Sequence, residues 1–316
     1  MKDLTIQLLI DGLTLGFVYS IIAVGYSLVY GILEFINFAN SEIFMVGAFI
    51  GAEVLIILQK VGILGNIPIP IALFIAITIS VILSGSLGVL IDKVAYKPIR
   101  NSPKLVAFIS AIGVSFFLQD AVRIIEAVWK NAFYVNAPDV LTYKIKFSDN
   151  TNIPVKFLFI VGSSIFVMGI VTLFINKTKW GKAMRAVAQD STTASLMGIN
   201  TEKMISMTFF IGAALGGFAG TLFTIQYSLV HPYVGFVLGI KSFTAAVFGG
   251  IGNLPGAMLG GIILGLIETF GSAFLSNLTN GIIGSEYKDV FAFSILILIL
   301  IFKPNGLLGS TVKEKV

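Results

Sequence analysis

The sequence has no cysteine, a single histidine and little charge, and each shortage excludes a class of protein. Without cysteine there is no disulfide, no thiolate metal site and no cysteine nucleophile. One histidine, His231, cannot build a metal site by itself. Only 12% of the residues are charged whereas 56% are hydrophobic, so too few polar side chains exist to cover a soluble domain. The lipid bilayer is therefore the expected solvent for most of this chain.

Long stretches without charge predict membrane-spanning helices, because about 20 apolar residues cross the roughly 30 Å hydrocarbon core. Five windows are of this kind: 12–33, 61–91, 157–175, 204–230 and 242–267. Three weaker windows are 41–59, 105–128 and 289–302. We therefore expect one all-α transmembrane domain over residues 1–316, a polytopic bundle of about eight spans with discontinuous or re-entrant helices. Met1 leads into an apolar stretch without a signal-peptide cleavage motif, so the first span is expected to serve as its own signal.

The basic residues indicate which loops face the cytoplasm. Residues 92–104 hold four basic side chains and one acid, and residues 176–203 hold five basic side chains and two acids. Both loops are expected on the inner side, as is the basic tail from Lys303. Residues 129–156 then lie outside, either as a small cap that faces an external partner or as a plain connector. Because the positive charge clusters beside spans, it indicates anionic lipid rather than nucleic acid.

Residues 180–203, the alanine-rich part of the second basic loop, carry helix-forming and helix-capping residues that a plain connector does not need. It predicts two short helices, broken near Asp190 as an N-cap and stopped at Gly198. We expect this segment to contact a cytoplasmic partner.

Two polar interruptions within apolar sequence indicate broken helices. Residues 248–257 contain five glycines and prolines, which predict a discontinuous helix or a short interhelical turn. Residues 37–42 form a similar interruption, and free peptide groups at such breaks are tolerated only inside protein or along a water-filled path. The candidate pathway residues at these two sites are Asn37, Asn40, Glu42, Gly250, Gly252, Asn253 and Pro255.

Ionisable side chains inside spans are costly, so they are expected to face protein or the membrane surface. Asp120 and Arg123, three residues apart, are expected to form a structural ion pair. Glu42 and Glu268 lie near the two interruptions, and pathway function and structural hydrogen bonding are both open for them. Glu53 carries the same burial cost. Glu268 joins the candidate pathway residues.

Glycines spaced by four residues predict close helix packing. They occur as Gly212-x3-Gly216-x3-Gly220 and as Gly252-x3-Gly256-x3-Gly260. Such spacing lets helix backbones approach one another. No nucleotide-binding G-x4-G-K-[ST] motif and no nucleophile with its base are present, so we expect neither enzymatic chemistry nor a cofactor in this chain.

Several motifs together carry a family resemblance. They are Gly12-Leu-Thr-Leu-Gly16, Tyr26-Ser-Leu-Val-Tyr-Gly31, Ile36-Asn-Phe-Ala-Asn-Ser-Glu42, Gly181-Lys-Ala-Met-Arg-Ala-Val-Ala-Gln-Asp190, Ala194-Ser-Leu-Met-Gly-Ile-Asn200, Pro232-Tyr-Val-Gly-Phe236, Lys241-Ser-Phe-Thr-Ala-Ala-Val-Phe-Gly-Gly-Ile-Gly-Asn-Leu-Pro-Gly-Ala257, Glu286-Tyr-Lys-Asp289 and Pro304-Asn-Gly-Leu-Leu-Gly309. Over nearly the whole chain they resemble the LivH-type permeases of bacterial branched-chain amino acid ABC transporters. One departure is Asn40-Ser41, where relatives often have His-Gly.

The resemblance implies a subunit in the bacterial inner membrane that imports leucine, isoleucine or valine. It implies four further partners: a second homologous permease, two cytoplasmic ATPases and an external substrate-binding protein. The family's ATPase-contacting loop falls on residues 182–199, here called the coupling segment. Its candidate contact residues are Lys182, Arg185, Ala186, Asp190, Ala194, Leu196 and Gly198.

Three alternatives stay open. The same fold serves ABC permeases for urea, short amides or other amino acids, and the binding protein's pocket would discriminate among them. An ion-driven secondary carrier that works alone is a second alternative, and transport without an ATPase would support it. A structural membrane scaffold is the third.

Overall fold

In the computed structural model, residues 2–100, 102–148, 151–278 and 287–309 are described, and most of them are helical. The α-helices are α1 Lys2–Leu33, α2 Ala39–Lys60, α3 Ile63–Asn66, α4 Ile69–Ile91, α5 Lys104–Lys130, α6 Val155–Lys177, α7 Lys179–Gln189, α8 Ser191–Leu196, α9 Thr201–Tyr227, α10 Val234–Gly249, α11 Leu254–Leu278 and α12 Lys288–Phe302. A π-helical turn, Asp92–Tyr96, and a 3-10 turn, Lys97–Ile99, follow α4. The strands are β1 Val135–Asn136, β2 Lys144–Ser148, β3 Thr151–Pro154 and β4 Leu229–Val230.

Seven stretches of helix are long and apolar enough to cross a membrane among the described residues. They are 4–33, 39–60, 69–99, 104–130, 155–177, 201–227 and 254–274. The chain is therefore a multi-pass helical membrane protein, as predicted. The eighth expected span, 289–302, corresponds to α12, which has 15 residues. Glu286 and the basic tail residues beyond Gly309 lie outside the described residues.

The charge-free window 242–267 is divided between two helices, because α10 ends at Gly249 and α11 begins at Leu254. The predicted helix break at 248–257 is confirmed by the same bounds. The interruption near residues 37–42 is also present, since α1 ends at Leu33 and α2 begins at Ala39. Glu34, which follows α1, has a φ of +52°, and its backbone N–H bonds the Tyr30 carbonyl at 2.8 Å. This left-handed residue ends the helix.

The described residues form two compact units. Unit 1 draws on Met1–Ser27, Leu141–Phe166 and Lys241–Val316, and unit 2 on Leu28–Val140 and Val167–Ile240. Each unit has one short antiparallel ribbon that sequence reasoning missed: β2 pairs with β3 in unit 1, and β1 pairs with β4 in unit 2. Both ribbons include part of the expected external loop 129–156, which therefore has more order than a plain connector.

In unit 2, small residues bring α2, α4 and α9 into backbone contact. The Ser80 hydroxyl on α4 donates to the carbonyls of Gly47 on α2 and Gly217 on α9, both at 2.9 Å. A side chain at Gly220 would collide with the backbone of α2 at Phe44. The predicted close packing through the α9 glycines is thus confirmed for Gly220, and the three helices form one tightly packed set.

In unit 1, α1 packs on α11 in the same way. A Cβ at Gly16 would lie 2.9 Å from the backbone of Ile262, and the Ser20 hydroxyl donates to the Met258 carbonyl at 2.6 Å. Within the second predicted glycine series, Gly256 and Gly260 leave no room for a Cβ against α10, whereas Gly252 lies in the turn before α11 with open space around it. Close packing is therefore confirmed for two of those three glycines.

Candidate functional site

The coupling segment folds as two short helices that local side chains define. The Thr178 hydroxyl accepts from the Gly181 N–H at 3.0 Å and begins α7. Asp190 then begins α8 by accepting the N–H groups of Thr192 at 2.9 Å and Thr193 at 3.1 Å. Gly198 has a φ of +82°, as a helix-ending residue requires. The predicted break at Asp190 and stop at Gly198 are confirmed.

Hydrogen bonds hold the Asp190 carboxylate in its charged form. The Thr193 hydroxyl donates to it at 2.5 Å, and the backbone N–H groups of Thr193 and Thr192 add two further bonds. These bonds, the hydroxyl first, lower the pKa of Asp190 from its ordinary 3.8. Asp190 is therefore a structural cap of α8 as well as a surface charge.

One face of the coupling segment is buried in unit 2. Met184, Val187 and Ala194 are at most 4% exposed and share a hydrophobic core with Met204 and Phe209 of α9. The tight turn into α7 depends on Gly181, where a Cβ would collide with the Ile175 carbonyl. This shared core packs α7 and α8 firmly against α9.

The opposite face presents an apolar tip. Leu196 is 83% exposed and Met197 is 79% exposed, at the end of α8. Large apolar side chains that project together from a surface indicate a docking site. Met197 was not among the predicted contact residues, although its position directly before the helix-stopping Gly198 was a usable signal.

The predicted contact residues differ in what they do here. Lys182 is exposed, Ala186 is half-buried and Ala194 is buried, so Ala194 packs inside rather than on the surface. The Arg185 guanidinium donates to the Ile175 carbonyl and, at 3.1 Å, to the Asn176 amide oxygen. Arg185 thus caps the end of α6.

At the interruption before α2, the predicted residues have separate surroundings. The Asn37 amide oxygen accepts the Tyr96 hydroxyl at 2.5 Å and the Ala39 N–H at 3.1 Å, which gives Asn37 a structural role. The Nδ2 group of Asn40 is buried and has no acceptor among the described residues. Asn40 therefore keeps an unsatisfied amide donor.

Glu42 is fully buried in the first turn of α2. Its Oε1 atom accepts the Ser115 hydroxyl at 3.2 Å, but its Oε2 atom has no donor among the described residues. A Cβ at Gly235 would lie 2.5 Å from Oε2, so glycine is what makes room for the carboxyl group. An unpaired buried carboxyl oxygen is costly and is typical of a functional site.

The interruption between α10 and α11 is closed by the last described residues of the chain. The N–H groups of Leu307 and Leu308 bond the carbonyls of Phe248 and Gly249 at 2.8 and 3.0 Å. The Asn253 amide donates to the Leu308 carbonyl at 2.7 Å. These bonds satisfy the end of α10, a role of the Pro304–Gly309 motif that sequence reasoning missed.

The four predicted residues at this break are part of the turn itself. Gly250 and Gly252 have φ values of +107° and +86°, which favour glycine. The Asn253 amide oxygen accepts the Gly256 N–H at 3.1 Å and caps α11, and Pro255 is exposed at the start of that helix. The Gly252 N–H bonds the Ser27 hydroxyl at 2.9 Å. Their contacts are those of a well-bonded turn.

Glu268 lies in a buried ion cluster within unit 1. Its carboxylate accepts the Tyr19 hydroxyl at 2.8 Å and the Lys241 ammonium at 2.9 Å, and the Lys288 ammonium lies 3.3 Å away. Lys241 also contacts Asp289 at 2.6 Å. Sequence reasoning had missed Lys241, because its charge lies one residue before the apolar window that began at 242.

Three other ionisable residues singled out from the sequence form ion pairs. Asp120 and Arg123 lie 3.2 Å apart and are about half exposed, as predicted for a structural pair. Glu53 on α2 pairs with Lys130 at the end of α5. Of the predicted pathway residues, Asn40 and Glu42 in unit 2 thus keep unsatisfied polar atoms, whereas Glu268 is fully paired.

Comparisons with known proteins agree with the resemblance of the motifs. A family model described as the permease component of the branched-chain amino acid transport system matches residues 8–300. The chain is 40% identical to BraD of Pseudomonas aeruginosa, a high-affinity branched-chain amino acid transport system permease protein, over 311 residues that cover 98% of each chain. It is 41% identical to LivH of Escherichia coli over 313 residues, or 98% of this chain and 97% of LivH.

A third relative is more distant. LivM of Escherichia coli, also a high-affinity branched-chain amino acid transport system permease protein, is 27% identical over 160 residues, or 50% of this chain and 35% of LivM. No solved structure matches this chain.

Proposed function

The chain belongs to the family of branched-chain amino acid transport system permease components, and we propose that it is the membrane-spanning subunit of an ATP-driven importer of leucine, isoleucine and valine. The observation that carries the proposal is the near full-length similarity to BraD and LivH. As a member of this family the chain is a transport subunit and not an enzyme. The energy for import comes from ATP that partner subunits hydrolyse.

The proposed complex contains two permeases, two cytoplasmic ATPases and an external binding protein that delivers the amino acid. The partial similarity to LivM supports a second, homologous permease. We place the complex in the bacterial inner membrane, with the coupling segment and the C-terminus in the cytoplasm. The five basic residues of the 176–203 loop support that orientation.

The coupling segment is the proposed ATPase contact. Leu196 and Met197 insert into the ATPase surface, and the positive charge of Lys182 adds electrostatic attraction. The shared core with α9 supports this role, since a coupling segment packed firmly on α9 can pass movement of the ATPases to that span. Arg185 fixes the coupling segment to the end of α6 by capping that helix.

Asn40 and Glu42 are the proposed pathway groups in unit 2. Their unsatisfied Nδ2 and Oε2 atoms complement the two charged groups of an amino acid. The amide donor suits the substrate carboxylate, and the carboxyl oxygen suits the substrate ammonium. Glu268, Gly250, Gly252, Asn253 and Pro255 are proposed to shape the pathway rather than bind substrate, because their polar groups are already bonded.

The test is leucine uptake into proteoliposomes that hold this chain with the products of its neighbouring genes. Uptake should require ATP, the ATPases and the binding protein together, and excess isoleucine or valine should compete. Leucine uptake by the chain alone without ATP would indicate a secondary carrier. Uptake of urea, short amides or other amino acids instead of leucine, by the complete complex, would reject the substrate assignment.

A further inference from the structure

A cavity of about 530 Å³ lies in unit 2 beside the coupling segment. Its walls come from the turns that follow α4 and from the start of α9. The lining residues are Asp92, Lys93, Lys97, Arg100, Asn200, Glu202, Lys203 and Ser206. Its size is that of a site for a small ligand, about 300–1,000 Å³.

The cavity carries an excess of positive charge. It is lined by four basic and two acidic side chains, which leaves two positive charges over. The buried Asp92 carboxylate accepts Arg100 and the Ser206 hydroxyl, both at 2.6 Å, and Glu202 pairs with Lys97 at 2.8 Å. Each acid is therefore already neutralised by a basic neighbour.

The remaining donors have no acidic partner among the described residues. Lys93 forms no ion pair within the described part of the chain, and the Lys203 ammonium lies 4.9 Å from the centre of the Trp180 ring. Two cations without an acidic partner on the wall of one cavity call for an anionic ligand.

The position of the cavity at the ends of two spans indicates that the anion is a lipid headgroup. Two apolar spans, α4 and α9, meet the cavity at their ends, so it lies at the level of the lipid headgroups. Trp180, next to Lys203, is 42% exposed, and tryptophan is enriched at the membrane surface. Basic pockets at the ends of membrane helices bind phosphate headgroups.

We propose that this cavity binds the phosphate of an anionic phospholipid. Lys93 and Lys203 neutralise the phosphate. A zwitterionic lipid is disfavoured because its own ammonium group would enter a positively charged cavity. The bound headgroup joins the end of α4 to the start of α9. The start of α9 directly follows the coupling segment in the chain.

The test measures lipid binding to the purified full chain in a neutral detergent by native mass spectrometry. Short-chain phosphatidylglycerol is titrated against phosphatidylcholine of equal chain length. Tighter binding of phosphatidylglycerol is expected, and equal binding of the two lipids would overturn the proposal without any variant. Inorganic phosphate at the same concentration should not displace the lipid; displacement would mean that the cavity holds free phosphate instead.

Variants localise the site. Lys93→Gln with Lys203→Gln should weaken phosphatidylglycerol binding about 30-fold, from the usual contribution of two basic residues near a lipid surface. Lys177→Gln with Lys179→Gln removes the same charge from exposed positions near α7 and should change binding less than about threefold. The pair Lys93→Arg and Lys203→Arg should retain binding, which separates loss of charge from loss of fold. Equal weakening by both glutamine pairs, or loss in the arginine pair, would overturn the assignment.

Discussion

Removal of the Lys241 charge should destabilise the protein more than removal of any exposed lysine. The side chains of Lys241 and Glu268 are only 6% and 2% exposed, so Lys241→Met leaves a buried carboxylate without its main partner. Breaking such a pair costs about 3–5 kcal/mol of unfolding free energy. The Tyr19 hydroxyl and the Lys288 ammonium still contact Glu268, so we expect the lower end, about 3 kcal/mol.

The double variant Lys241→Met with Glu268→Met supplies the sharper comparison. Replacing both charges with apolar groups of similar size removes the unpaired carboxylate, so the double variant should be at least about 2 kcal/mol more stable than the sum of the single changes predicts. Lys288→Met is the matched control: its side chain is 43% exposed, and it should cost less than about 1 kcal/mol.

The assay is denaturant unfolding of the detergent-solubilised full chain, followed by the circular dichroism of its helices. Additive single changes, or a Lys241→Met variant no less stable than Lys288→Met, would refute the inference that the buried pair stabilises unit 1.

The remaining predictions concern unit 2. Leu196→Ser with Met197→Ser should abolish leucine-stimulated ATP hydrolysis in the complete complex and leave the melting temperature unchanged, because both side chains are exposed; normal stimulation would exclude the apolar tip as the ATPase contact. Gly220→Ala should lower the unfolding free energy by about 1–3 kcal/mol through collision with α2, whereas Gly113→Ala, which meets open space, should not destabilise; equal effects in denaturant unfolding would contradict the packing. Because the pKa of Asp190 is lowered, its cap should stabilise the start of α8 fully above the ordinary pKa of 3.8, and this stabilisation should be lost as the pH falls through the lowered pKa. Hydrogen exchange of the first α8 amides, compared with an Asp190→Ala variant, should show protection that is constant from about pH 7 to pH 5.

Local chemistry could be predicted well from the sequence, and pairing between distant residues could not. The α7–α8 break followed from Asp190 and Gly198, because a cap and a helix stop act on neighbouring peptide groups. The α10–α11 break followed from its glycines and proline. Membrane spans followed from hydropathy.

The missed features all depend on residues far apart in the chain. Lys241 and Glu268 are 27 positions apart on different helices, and only the packing of unit 1 brings them to 2.9 Å. The sequence did not indicate that Arg185, a predicted contact charge, also bonds the end of α6, because the tight turn at Gly181 brings the two together. Ala194 carried no sequence signal that distinguishes a buried alanine from a surface one.

The bonds from Leu307 and Leu308 to the end of α10 have a consequence for biosynthesis. Residues 248 and 249 leave the ribosome almost 60 residues before their partners 307 and 308 are made. Throughout that interval their carbonyls must be satisfied by water, by the insertion machinery or by temporary neighbours. The break between α10 and α11 is therefore among the last parts of the permease to mature. A nascent chain cut before residue 307 would carry all seven long apolar spans of the described residues and still lack the bonds that complete this turn.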